Sequence, residues 1–242
     1  MKYVRRQISV FGNFEEVNLQ NNKIATLYNK FIEKQLMPSV VKEFDIYKQR
    51  LLNRIQFVAQ DNSIFVSIGT NRIDVLCEND MLELEKFFYL SEEYVSVLFE
   101  LFEFKAKRLS FIVDAKLRDV EDDGKKLASK YLNTKTVLTN DNLIGWEANS
   151  VCLFDWKISA KRMESINLNV TIGLKRMQSI PLKLIGSDNK LIPAKIIQGL
   201  MMHQDLNTSG ENNRERFDLQ DSIAFIKLIG EKHKEICKHV EA

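Results

Sequence analysis

The stretch Asn53–Asp80, NRIQFVAQDNSIFVSIGTNRIDVLCEND, reads as three short strands joined by two tight turns. Ile55, Phe57 and Ala59 share one face of the first strand, and Ile64, Val66 and Ile68 share one face of the second, as a period of two requires. Asp61-Asn62 can take the positive φ angles of a two-residue hairpin turn. Gly69-Thr70-Asn71 supplies a second reversal before Ile73, Val75 and Cys77 resume the alternation. A meander of this type is an antiparallel sheet with one face turned to a core.

Working outward, Tyr3–Phe11 alternates as an opening strand, with Tyr3, Arg5 and Gln7 on one side and Val4, Ile8 and Val10 partly on the other. Val17, Ile24, Leu27, Tyr28, Phe31, Ile32 and Leu36 predict an amphipathic helix over Glu15–Leu36, although Asn18, Asn21 and Asn22 favour turns, and Pro38 is expected to stop it. Beyond the meander, Leu82 to Phe102 predicts one long helix or two broken near Ser91. A half-buried strand covers Phe104–Arg118, a short helix Glu121–Leu132 and a polar loop Asn133–Asn142. Val151–Ala160 and Ile166–Leu174 alternate as two strands around a hairpin placed at Met163-Glu164-Ser165, and a further strand runs from Ala194 to Asn207. The last helix opens on Asp218 with Asp221 three residues on, a capping pair. The expected fold is α+β: two strand-helix-meander-helix halves, residues 1–104 and 105–242, with antiparallel sheets backed by helices.

Composition narrows the function classes. The 242 residues are 45% hydrophobic with 15 Phe, enough for a substantial core, and 35 Lys and Arg against 33 Asp and Glu leave a net charge of +2. That balance supplies no large field toward nucleic acid or anionic membrane. Cys77, Cys152 and Cys237 are far apart and odd in number, with no CxxC, so neither a disulfide framework nor a zinc site is expected. The opening MKYVRRQISVFGNF lacks an apolar run of signal length, and no stretch reaches membrane-spanning length, so a cytoplasmic location is expected. No Gly-rich phosphate loop, GxSxG or HExxH occurs, and no cofactor is expected.

Several segments resemble a sporadically distributed bacterial family of uncharacterised α+β proteins. The likeness lies in the early Pro38, the meander from Phe57 through Asp61, Val66, Ile68 and Gly69 to Arg72, the strand KAKRLSFIVDA (Lys105–Ala115), and the segment from MMHQDLNTSG to the terminal helix. Those motifs describe strands and turns. The family more often opens with Pro-x-x-Glu, from which this chain departs. The resemblance implies the α+β fold and no catalytic activity, and the family's patchy distribution implies carriage with defence or toxin-regulating genes.

Two sets of residues are candidates for a site. His203, Asp205 and Asn207 occupy alternate positions of one strand, the geometry of a metal site or an oriented acid-base pair, with Asp114 or Asp155 as further carboxylates; the competing reading is a strand turning polar as it reaches water. The second set is a polar sheet face of Asp155, Lys157, Asn167, Asn169 and Thr171, joined by Asp114, Lys116 and Arg118. Trp146 is a candidate partner anchor, with a core position favoured, and His233 and His239 are expected at the surface or helix end. The leading expectation is a non-enzymatic protein-interaction component with a protein partner, compatible with a homodimer. Its rivals are a metal-dependent hydrolase or nuclease using His203 and Asp205, and a nucleic-acid-binding module using Lys105, Lys107 and Arg108.

Overall fold

The computed structural model describes residues 1–45, 49–61, 63–118, 146–179 and 195–241. The helix expected at Glu121–Leu132 and the loop expected at Asn133–Asn142 lie outside the described residues.

The elements run β1 (Lys2–Phe11), α1 (Ile24–Glu33), β2 (Leu36–Asp45), β3 (Arg50–Ala59), β4 (Ile64–Ile68), β5 (Arg72–Cys77), α2 (Leu84–Phe102), β6 (Arg108–Arg118), β7 (Trp146–Ser159), β8 (Arg162–Ser179), β9 (Lys195–Thr208) and α3 (Leu219–Glu241). All nine described strands form one sheet in the order β2-β3-β4-β5-β1-β6-β9-β8-β7, every neighbouring pair antiparallel. The fold is therefore α+β, with one large antiparallel sheet, one of the two sheet counts expected. Segments 1–104 and 105–242 meet at its centre, where β1 pairs with β6 from Phe11↔Arg108 to Lys2↔Lys116.

Register lines up whole rows across this sheet. Phe57, Val66, Val75, Ile8, Phe111, Leu206 and Leu168 follow one another from β3 to β8, flanked by Pro38 and Cys152 on the edge strands. The seven interior members are buried, and the helices pack on this side: Phe31 of α1 stacks on Phe57 with ring centroids 4.3 Å apart, Phe88 of α2 meets Phe111 at 5.4 Å, and Phe225 of α3 meets Trp156 at 5.8 Å. One continuous core joins residues from both segments. Its burial is the dominant stabilising term.

Three boundaries differ from the pattern-based expectation. Asn13, Asn18 and Asn21 accept backbone N–H bonds from Glu15, Gln20 and Lys23, so the Asn-rich stretch forms side-chain-capped turns and α1 starts only at Ile24. The helix ends before Pro38, because Gln35 takes φ 61 and reverses the chain. Pro38 sits inside β2, an edge strand, where a missing donor is tolerated. The β7–β8 hairpin turns at Ala160-Lys161, with Ser159 opposite Arg162, three residues before the predicted place. By contrast, α2 runs unbroken through Ser91, whose hydroxyl donates to the Phe87 carbonyl at 2.7 Å.

Candidate functional site

On the face opposite the helices a second row crosses the sheet: Ser39, Gln56, Ser67, Asp74, Ser9, Ser110, Asn207 and Asn167, ending on Leu153 at the β7 edge. Eight of these nine positions are polar, so the row is a band of short hydrogen-bonding side chains. Asp74 anchors its centre, accepting from the Ser9 hydroxyl at 2.6 Å, the Gln7 amide at 2.8 Å and Arg72 Nε at 2.7 Å.

The sequence candidates cluster beside this row because β9 lies between β6 and β8. His203 stands opposite Asp114 on β6 and Thr171 on β8, and Asp205 stands opposite Ile112 and Asn169. The His203 Nδ1 lies 2.7 Å from Asp114 Oδ1, with side chains 38% and 13% exposed respectively. Asp205 Oδ1 accepts from Asn207 Nδ2 at 3.0 Å and more distantly from the Ser110 hydroxyl at 3.4 Å, and Asn167 Nδ2 donates to Asn207 Oδ1 at 3.3 Å. Asn169 Oδ1 is buried and has no hydrogen-bond partner among the described residues. Leaving a buried acceptor unpaired costs ~1–3 kcal/mol.

The two sets read separately from the sequence thus form one patch. Asp155 and Lys157 are exposed and fall by register on the same face at the β7 edge, opposite Ser165 and Met163. Lys116 lies opposite Met201, and the backbone of Arg118 opposite Leu200 beyond a register shift. Trp146 is the first residue of β7, opposite Leu174 on the helix side, and only 8% exposed. It is buried rather than presented. No group of three or more His, Cys, Asp or Glu able to hold a metal ion occurs among the described residues. Two of the basic residues have defined neighbours: Arg108 lies over the Phe11 ring at 5.0 Å, and Arg162 Nη1 pairs with Asp221 at 2.7 Å.

A second cluster was not expected. His233 is 1% exposed, contrary to the surface or helix-end position predicted for it. A β-bulge between Tyr3 and Arg5 rotates Tyr3 out of the alternation and onto the helix side, where its hydroxyl meets His233 Nε2 at 3.0 Å. His233 Nδ1 lies 2.7 Å from Gln204 Oε1, while the Gln204 amide nitrogen is directed to Met202 Sδ. The imidazole therefore donates from Nδ1 and accepts at Nε2. Cys237 Sγ is 3.3 Å from Nε2, an i,i+4 approach along α3 that the spacing His233…Cys237 signals once the helix is known. Burial, helped by the Arg6 charge, pushes the His233 pKa down to about 4. Buried and hydrogen-bonded at both ring nitrogens, His233 is locked into the packing between α3, β1 and β9. Arg6 beside it is fully buried, donating to the carbonyl oxygens of Leu82 and Asn79, touching Cys77 Sγ at 3.1 Å and packing over the Tyr3 and Phe87 rings.

No family model matches the chain, and no curated protein matches it. Among solved structures, the rolling circle replication initiator protein from Geobacillus stearothermophilus aligns with 95% of this chain and 78% of its own, at 10% identity and a TM-score of 0.28. At that score the likeness carries no argument about fold or function. Among the described residues no helix is long and apolar enough to cross a membrane.

Proposed function

We propose that this chain is a non-enzymatic, cytosolic protein-interaction component, and that it docks its partner on the helix-free face of the sheet around Asp114, His203, Asp205, Asn167 and Asn169. The observation that supports it is the polar band, a row of hydrogen-bonding side chains crossing the helix-free face through Asn167, Asn207 and Ser110. Asp74, Asp114 and Asp205 set negative charge among the face's cations, which favours a mixed-charge protein surface over a phosphate backbone. Apart from the His203 imidazole, the residues of the patch carry no aromatic side chain on which a base could stack. The setting in a bacterial defence or toxin-regulating system follows from the family resemblance.

The two-segment organisation belongs to this proposal. In 1–104 the first strand β1 pairs with β5, the last of its meander, and in 105–242 β6 pairs with β9 in the same way. Two passes of one plan, joined at β1–β6, would place the candidate patch wholly in the second.

The test is affinity capture from native lysate, with and without nuclease, comparing the wild-type chain with an Asn167→Arg, Asn169→Arg variant checked for folding by circular dichroism. A stoichiometric protein that survives nuclease and is lost with the variant supports the reading. Companions that vanish on nuclease treatment favour nucleic acid instead. The metal-dependent hydrolase reading rests on the 2.7 Å Asp114–His203 pair and makes a separate prediction. Mn²⁺ or Mg²⁺ would raise the melting temperature of wild type but not of Asp114→Asn.

A further inference from the structure

Among the described strands the sheet ends on β2 at one side and on β7 at the other, and the two ends differ. At one end β2 carries Pro38, which lacks a backbone donor. At the other, β7 runs from Trp146 to Ser159 without proline, and its middle residues Asn149–Leu153 are exposed on both faces. Val151 and Leu153, both 68% exposed, project from the polar face of this end strand. Ser150 and Cys152, on the helix side, are exposed as well.

We propose that β7 pairs antiparallel with β7 of a second copy of this chain, about a two-fold axis at Cys152, joining two nine-stranded sheets into one. This surface is separate from the patch proposed above and does not depend on it. The register follows from the sequence of the strand. Symmetric antiparallel pairing keeps like faces together and makes the residue numbers of each facing pair sum to a constant. Centred on Cys152, it sets Val151 against Leu153 and Glu147 against Lys157 on the polar face, and Ser150 against Phe154 on the helix side. On the polar face apolar meets apolar and opposite charges meet. Centring on Val151 would set Glu147 against Asp155, two carboxylates, and centring on Leu153 would set Val151 against Asp155. Both neighbouring registers are penalised, and centring on Val151 also shortens the paired stretch of β7. The occupant of the edge is thus a copy of the strand itself.

The pairing brings the two Cys152 Cα atoms to ~4.5–5.5 Å, inside the range a disulfide spans. The test uses the full chain. Sedimentation equilibrium is expected to return twice the 28.2 kDa chain mass for wild type, and 28.2 kDa for Leu153→Lys at the same concentration. Mild oxidation of wild type with diamide should yield a covalent dimer whose peptide map links Cys152 to Cys152. A wild-type chain that stays at 28.2 kDa at every concentration overturns the proposal. So does a dimer that persists in Leu153→Lys, or one that leaves Cys152 unlinked. The oxidation map stands without the variant, should Leu153→Lys fail to fold.

Discussion

Protonating His233 would place a charge in a site already occupied by the buried Arg6 guanidinium and closed by Tyr3, Gln204 and Phe111. Its folded pKa of about 4 lies below the ordinary 6.5, so the unfolded chain binds the extra proton first as pH falls. Stability from this group is complete above the unfolded pKa and is lost as pH drops toward the folded one. Between pH 7.5 and pH 5.5 the loss should be on the order of 1–2 kcal/mol. Urea denaturation at the two pH values measures it, and His233→Phe should remove that part of the dependence. Arg6 makes a different prediction. Arg6→Ala empties a packed site and leaves the Leu82 and Asn79 carbonyl oxygens without their donor, so a loss of roughly 3 kcal/mol or more is expected at any pH from 6 to 8. Neither residue announces itself in the sequence. Position 6 alternates correctly for the core face, but an arginine there reads as surface until its neighbours are known, and Tyr3 reads as sharing the face of Gln7 until the bulge moves it.

At the scale of elements, the start of α3 is fastened from two sides. Asp218 Oδ1 accepts the Asp221 N–H at 3.0 Å and Asp221 Oδ2 accepts the Asp218 N–H at 3.2 Å, the reciprocal cap that the Asp-x-x-Asp spacing predicts. Arg162 of β8 reaches the same Asp221 and the Arg216 carbonyl, and the guanidinium groups of Arg162 and Arg216 lie 5.2 and 4.5 Å from the Phe217 ring. The cap is local and therefore legible; the clamp joins distant segments and is not. Asp218→Ala should cost about 1 kcal/mol, the usual value of a lost N-cap, read from the shift of the urea midpoint. The β7–β8 ladder has its own tight place. A Cβ on Gly173 would stand 2.5 Å from the Trp146 carbonyl oxygen, so Gly173→Ala forces the strands apart at the entry to β7. A loss of ~1–3 kcal/mol is expected, with reduced hydrogen-exchange protection at Glu147 and Ala148.

Over the whole molecule, one sheet and a main core shared by both segments predict one transition. Far-UV circular dichroism and the fluorescence of Trp146 and Trp156 should melt together, because β1–β6 pairing ties the segment lacking tryptophan to the segment containing both. A far-UV step that outlasts the tryptophan signal would show the two segments unfolding apart. The alternation of β3, β4, β5 and β8 was plain from residue types alone, since each strand buries one face. Strand order was not, because periodicity states which side of a strand is apolar and not which strand lies beside it. Hence His203 and Asp205 could be placed on one face, and Asn167 and Asn169 on another strand's polar face, without sign that β8 and β9 are neighbours.

The position of β1 at the centre of the sheet has a kinetic consequence. Arg6 reaches Cys77 across 71 residues of chain, and its other neighbour, Val113 on β6, lies further still. Contacts of such long sequence separation require closure of large loops before they yield any stabilisation, so folding should be slow for a chain of this size. Until β5 and β6 are in place, both edges of β1 are unpaired, and during synthesis this strand is the segment most dependent on chaperone protection.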